Sequence, residues 1–354
     1  MTIRPRRSVL YMPGSNARAL EKAKTLPVDG VILDLEDAVA PDAKAMAREQ
    51  VVAAVKAGGF GNREVFIRVN GIDSPWHADD LNAAAHAGPN GILVPKVGRV
   101  ETLERVGQRM LDMKCDLKTR IWAMIETPEA IFNINALAAT AHDSETRLAG
   151  FVMGTNDLAK ETRARLVPGR APMMSWLARC LLAAHAHGID ILDGVYNDLS
   201  DTKGFEAECV QARDMGFDGK TLIHPNQIGP CNTVFSPSAD EVAQARKLIA
   251  AFELPENKGK GVVQVDGRMV EIMHAEMARR TVAIADAIEA KTELNASALP
   301  STTAPRGKPA GRSLRCRQGQ PGGQPCPISA RAPASSPRSP PSRCVLTIRM
   351  RFSS

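Results

Sequence analysis

Three charged side chains stand within or at the ends of short apolar runs, where an unpaired charge is costly. Ile121-Trp122-Ala123-Met124-Ile125 runs into Glu126, Phe151-Val152-Met153 is followed by Gly154-Thr155-Asn156-Asp157, and Arg68 lies inside Phe66-Ile67-Arg68-Val69-Asn70. An Arg among such residues is expensive unless it meets an anion. Carboxylates from adjacent strands, here Glu126 and Asp157, could hold one Mg²⁺ and leave positions for water and substrate oxygens. Arg68 would then bind a substrate carboxylate beside the metal. A divalent cation facing a guanidinium suits a 2-oxo acid or an enolate, whose developing oxyanion needs a fixed positive environment.

Other reactive groups share the same placement at the ends of apolar runs. Asp34-Leu35-Glu36-Asp37 puts three carboxylates in four residues, a cluster that repels itself unless cations balance it. Pro13-Gly14-Ser15-Asn16-Ala17-Arg18 reads as a tight turn into a helix N-terminus, either a plain cap or a place to hold an anion. Asp193, Lys220 and Ile223-His224-Pro225-Asn226 close the last two runs. No lysine in a strand core has an obvious Schiff-base setting; Lys96, after Pro95 at the rim, reads as structural or electrostatic.

The elements that must position these residues follow from periodicity. Eight Val/Ile/Leu-rich segments, at residues 8–12, 30–35, 64–69, 91–95, 120–125, 149–153, 189–192 and 217–222, start at the spacing of a βα unit. Between them lie Ala-, Glu- and Lys-rich stretches of helical period, such as 43–56, 99–113 and 204–215. Near-continuous apolar strands suit a parallel sheet covered on both faces. The expected fold is α/β, a (β/α)₈ TIM barrel over residues 1–235, with the charged residues gathered on its C-terminal face. Thr127-Pro128, a cap followed by a first-turn Pro, opens a helix directly after Glu126. A doubly wound sheet is the alternative, but no GxGxxG follows the first strand.

Residues 236–292 should form a C-terminal helix and a lid module, with Asp266-Gly267 as a turn before a helix over 272–290. That piece is too short to fold alone and must dock on a barrel, its own or a neighbour's. Residues 293–354 hold ten of the 24 prolines and little that is apolar, and are expected to be disordered. Nine arginines and one lysine lie beyond Glu293 with no acidic residue, so the net charge of +6 belongs to this tail. Residues 1–293 carry 35 basic against 39 acidic side chains, about −4, and offer no footprint for nucleic acid. No apolar run reaches the roughly 18 residues of a membrane helix, and the N-terminus runs straight into a strand, so a cytoplasmic location is expected. None of the seven cysteines is in CxxC spacing, which argues against a zinc knuckle or a disulfide framework.

Taken together, Ser8-Val9-Leu10-Tyr11-Met12-Pro13-Gly14, Leu33-Asp34-Leu35-Glu36-Asp37-Ala38-Val39, Phe66-Ile67-Arg68-Val69-Asn70, Ile125-Glu126-Thr127, Gly154-Thr155-Asn156-Asp157-Leu158 and Ile223-His224-Pro225-Asn226-Gln227-Ile228 carry a family resemblance. From about residue 5 to 291 the chain resembles the citrate lyase β-subunit-like CoA-ester lyases of the wider HpcH/HpaI aldolase group. The resemblance implies a trimeric or hexameric (β/α)₈ barrel that cleaves a 3-hydroxyacyl-CoA of the malyl-, methylmalyl- or citramalyl-CoA class to an acyl-CoA and a 2-oxo acid. It implies Mg²⁺, with Mn²⁺ as a substitute, held by Glu126 and Asp157. Arg68 takes the carboxylate-binding place, and Glu36 and Asp37 the acidic cluster beside the metal. Pro13, Gly14, Ser15 and Arg18, with His224 and Pro225, fall near the CoA arm. The stretch Val265-Asp266-Gly267-Arg268-Met269-Val270-Glu271 matches a lid that covers a neighbouring subunit's active site.

Two departures bear on the reaction. Many of these lyases end the lid motif in Asp, where this chain has Glu271. The simple pyruvate aldolases of the wider group use a His soon after strand two, where this chain has Glu36-Asp37-Ala38-Val39. The expected mechanism is therefore a retro-Claisen-type cleavage with Glu271 as the acid that protonates the thioester enolate. The same site could instead direct water at the thioester of malyl-CoA. A third reading is a citrate lyase β subunit acting on an acyl-carrier-protein thioester.

Overall fold

The computed structural model describes residues 3–297. The expected tail lies outside the described residues from 298 onward. Eight parallel strands close into a barrel: β1 (Ser8–Pro13), β2 (Gly30–Asp34), β3 (Glu64–Arg68), β4 (Gly91–Val94), β5 (Arg120–Ile125), β6 (Leu148–Met153), β7 (Asp190–Asp193) and β8 (Gly219–Leu222). The last strand returns to the first, with Val9 opposite Thr221. Each segment read from the sequence is a strand, and the (β/α)₈ expectation holds.

Alternation along the strands sorts the apolar residues into two cores. Val9, Ile32, Phe66, Leu93, Trp122, Met124, Val152 and Leu192 fill the barrel interior. Phe66 and Trp122 meet there edge to face, with ring centroids 5.2 Å apart. The residues between them, such as Leu10, Val31, Leu33, Ile67 and Ile121, point outward against the helices. These helices include α1 (Ala17–Ala23), α2 (Lys44–Ala57), α3 (His77–Ala87), α4 (Val100–Asp112), α5 (Pro128–Ala139), α6 (Thr155–Thr162), α7 (Met174–Ala186), α8 (Thr202–Met215) and α9 (Ile228–Val234). Positions two residues beyond the interior stack share its direction and form a polar layer at the mouth. On β2 that position is Asp34, on β3 Arg68, and just after β5 Glu126.

The C-terminal module comprises α10 (Ala239–Glu253), a hairpin of β9 (Val262–Val265) and β10 (Arg268–Glu271), and α11 (Ile272–Ser297). The hairpin turns on Asp266 and Gly267, both at positive φ (50° and 76°), the conformation that favours Asp-Gly in two-residue hairpins. Val263, Val265 and Val270 pack on Leu248, Ala251 and Phe252 of α10. Arg280 pairs with Asp218 at 3.0 Å and Lys291 with Asp29 at 2.9 Å. Asp29 and Asp218 precede β2 and β8, so the module docks under the base of its own barrel, at the end away from the polar mouth. Among the described residues no helix is long and apolar enough to cross a membrane.

Candidate active site

The centre of the mouth is a buried ion pair. Asp34 and Arg68 are register partners on adjacent strands, and both side chains point inward. Arg68 donates through Nε to Asp34 Oδ1 at 2.7 Å and through Nη2 to Asp34 Oδ2 at 2.6 Å. The same carboxylate accepts the backbone N–H groups of Glu36 (2.8 Å) and Ala38 (3.1 Å). It thus orients the guanidinium and shapes the loop that carries Glu36 and Asp37. Below, the Tyr11 ring supports the guanidinium, 4.9 Å from Arg68 Cζ. Despite burial, the Asp34 charge holds Arg68 well above the usual guanidinium range. Nη1, which Asp34 does not engage, is free to face a ligand apart from a weak contact to Met124 Sδ at 3.7 Å. Asp37 Oδ2 accepts from it at 3.2 Å, and Glu36 Oε2 lies 2.9 Å away, out of line for a hydrogen bond.

Lys44 and Lys96 bracket the acidic loop. The buried Lys44 ammonium donates to the carbonyls of Leu35 (2.8 Å) and Glu36 (2.7 Å) and to Asn70 Oδ1 (2.8 Å). Lys96 Nζ donates to Glu36 Oε1 at 3.0 Å, while its backbone N–H donates to Glu126 Oε1 at 2.7 Å. Burial, opposed by Arg68 and assisted by Asp37, raises the Glu36 carboxyl above its ordinary range.

Glu126 is almost wholly buried. Burial and then the Glu36 charge push its carboxyl up to about 8, with the Lys96 N–H opposing and Asp157 adding to the rise. Gly154 lets it sit there: a β-carbon on residue 154 would lie 2.5 Å from Glu126 Oε2. Asp157, half-buried in the first turn of α6, completes the acidic rim. Burial thus favours a neutral Glu126 when no cation is bound, and a divalent ion among Asp34, Glu36, Asp37, Glu126 and Asp157 would let it ionise. An all-oxygen donor set suits a hard ion such as Mg²⁺. Among the described residues no group of three His, Cys, Asp or Glu side chains is arranged to hold an ion. A metal bound by Glu126 and Asp157 would therefore keep water or substrate oxygens in its remaining positions.

The remaining expected residues divide. Pro13 ends β1, the Gly14 N–H donates to Asp34 O at 2.8 Å, and Asn16 caps α1 by accepting from the Ala19 N–H at 3.1 Å. Ser15 and the exposed Arg18 line this same turn. His224 Nδ1 accepts from the Asn226 N–H at 3.2 Å, ahead of Pro225. Since β1 and β8 are neighbours, both turns lie at one side of the mouth. Glu271 is exposed at the end of β10, its N–H bonded to His274, and a single chain does not bring it to the cluster.

Asp193 and Lys220 do not belong to the mouth. Leu192 points into the barrel, so Asp193 points out, and fully buried Lys220 donates to Asp193 and Glu208 at 2.7 Å each. Arg170 completes this outer network through Asp193 at 2.7 Å. Lys220, expected at a strand tip, thus lies inside β8 and is held as an ion-pair partner on the outer face of the barrel. Lys44 and the Lys96 N–H were not anticipated in the site, nor was the pairing of Asp34, expected only as part of the acidic cluster, with Arg68. Asp34 had a signal: a buried Arg68 needs a carboxylate from a neighbouring strand, two residues beyond an interior Ile32.

A family model described as HpcH/HpaI aldolase/citrate lyase matches residues 7–225. A (3S)-malyl-CoA thioesterase of Cereibacter sphaeroides is 50% identical over 286 residues, covering 81% of this chain and 96% of that protein. Citrate lyase subunit beta of Escherichia coli is 33% identical over 272 residues, covering 76% of this chain and 89% of its own. The crystal structure of CitE from Mycobacterium tuberculosis in complex with magnesium, acetoacetate and coenzyme A aligns with a TM-score of 0.63 at 27% identity, over 78% of this chain and 97% of that one. The family match begins one residue before β1 and ends three after β8, taking in every strand that builds the mouth. The chain therefore belongs to the HpcH/HpaI aldolase/citrate lyase family.

Proposed function

We propose that the chain is a Mg²⁺-dependent enzyme that hydrolyses the thioester of a 3-hydroxyacyl-CoA of the malyl-CoA class. The observation that carries this reading is the 50% identity to a (3S)-malyl-CoA thioesterase over 96% of that protein's length. The geometry supports the substrate class. Arg68 is oriented by Asp34, and its Nη1, beside Glu36 and Asp37, can take the substrate's free carboxylate. Glu126 and Asp157 would hold Mg²⁺, with Mn²⁺ a workable substitute. When bound, the ion supplies fixed positive charge to substrate oxygens. Glu36, buried and with no hydrogen-bond partner on Oε2, would take a proton from the attacking water. Water oxygen bonds to the thioester carbonyl carbon, the C–S bond breaks, and the CoA thiolate leaves and is protonated, giving the free hydroxy acid. Pro13, Gly14, Ser15, Arg18, His224 and Pro225, on one side of the mouth, are the proposed seat of the CoA arm.

The lyase expected from sequence is the second reading, favoured by the 33% identity to citrate lyase subunit beta. There the substrate hydroxyl loses its proton, the C–C bond breaks to a 2-oxo acid, and the thioester enolate is protonated by Glu271. Because Glu271 docks under its own barrel, that role requires a second subunit. Exposed Met269 (73%), Met277 (64%), Ile272 and Met273 beside it support a homo-trimer or homo-hexamer. The free, buried Cys115, Cys180, Cys209 and Cys231 fit a reducing cytoplasm. Incubation of the purified chain and Mg²⁺ with (3S)-malyl-CoA decides the chemistry. Free CoA with malate is the expected result; acetyl-CoA with glyoxylate trapped by phenylhydrazine would overturn hydrolysis in favour of cleavage.

A further inference from the structure

Lys96 is built into the mouth at a conformational cost. It directly follows Pro95 and holds φ at +55°, a left-handed backbone that a residue with a β-carbon rarely adopts. That conformation turns its N–H onto Glu126 at 2.7 Å and brings its ammonium to Glu36 Oε1 at 3.0 Å. Glu36 is therefore shared. One oxygen is held by Lys96, and the other lies 2.9 Å from Arg68 Nη1, the guanidinium nitrogen that Asp34 leaves free, without the alignment of a hydrogen bond. Two carboxylates thus compete with any ligand for Nη1. Asp37 is 63% exposed and can turn to water when a ligand arrives. Glu36 is buried and cannot, so something inside the site must keep it off Nη1.

We propose that Lys96 is a positioning residue that retains Glu36 and so keeps Arg68 Nη1 available for the carboxylate of a 2-hydroxy or 2-oxo acid. Its side chain is 49% exposed at the rim, and its ammonium takes up the charge of Glu36 as the substrate carboxylate displaces Glu36 from the guanidinium. The inference rests on Arg68 being the carboxylate anchor. It does not depend on whether the thioester is hydrolysed or the C–C bond is cleaved.

The test is calorimetric titration of the full chain with malate at saturating Mg²⁺, which reads binding without turnover. Lys96→Met keeps the backbone N–H on Glu126 and removes only the ammonium. It should weaken malate binding tenfold or more, while Lys96→Arg restores it to within about threefold of wild type. In a Glu36→Gln background the competing charge is gone, and adding Lys96→Met should change malate affinity by less than twofold. An unchanged Lys96→Met affinity overturns the proposal. So does an equal loss in both backgrounds, which would mean that Lys96 touches the ligand or only supports the fold. Wild type that binds no malate overturns it too. Normal malate binding with no thioester turnover would sink the proposed function and leave this inference standing.

Discussion

Replacing Asp34 with Asn tests the central pair with almost no change in shape. The Asp34 carboxylate accepts four bonds, two from Arg68 at 2.6–2.7 Å and two from backbone N–H groups. An Asn has one acceptor oxygen, so its amide N–H₂ must face two donors wherever it points. The side chains of Asp34 and Arg68 are 1% and 7% exposed, so solvent screens little of the loss. Breaking a buried pair by removing one partner costs about 3–5 kcal/mol, because the remaining charge is left uncompensated. At about 2.1 cal/mol/K per residue the ordered chain has an unfolding entropy of about 0.6 kcal/mol/K, so Tm should fall by roughly 5–8 °C. Thermal unfolding followed by circular dichroism, in EDTA at neutral pH, reads this directly. Added salt should not reduce the difference, since the pair is buried. An apolar double variant, Asp34→Leu with Arg68→Met, should lose less than Asp34→Asn alone. A Tm within 2 °C of wild type for Asp34→Asn would refute the claim that this pair organises the mouth.

Other outcomes follow from neighbouring groups. Gly154→Ala places a methyl 2.5 Å from Glu126 Oε2 and should weaken Mg²⁺ binding at least tenfold by calorimetry; unchanged affinity would mean that Glu126 can move without consequence. Glu126 is raised from 4.5 to about 8 by burial first, so the metal-free fold holds an extra proton between those values. Its contribution is therefore complete below pH 4.5 and is lost as pH rises through 8: Tm in EDTA should drop from pH 6 to pH 9, and Glu126→Gln should flatten that slope. Asp157→Ala should abolish Mg²⁺-dependent turnover, and normal rates would remove it from the metal site. Glu271→Gln should spare Mg²⁺ affinity and lower turnover; full activity would leave the hairpin as a cover only.

Much of the barrel could be read directly because its strands are continuous Val/Ile/Leu runs, a pattern that local burial on both faces demands. The Thr127-Pro128 cap likewise marked where a strand ends and a helix starts. Side-chain direction was harder. Asp34 and Asp193 both end their strands, yet Asp34 enters the barrel while Asp193, with its partner Lys220 of β8, leaves it. A single step along a strand reverses the face, and a charge at a strand end reads the same either way. The left-handed backbone of Lys96 was invisible for another reason: it is strained, and local propensity points to Gly or Asn for such a turn.

The order of residues alone determined the eight βα units and brought Arg68, Glu126 and Asp157 to one end, because chain direction in a parallel barrel puts all strand tips on a common face. It also determined the acidic excess that calls for a cation. Only the closed tertiary structure decided which charge neutralises which. Asp34 with Arg68, Lys96 with Glu36 and Lys220 with Asp193 are pairs between strands or loops 27 to 60 residues apart. Such partners are chosen by distance and burial in three dimensions, and chain spacing holds no record of that choice.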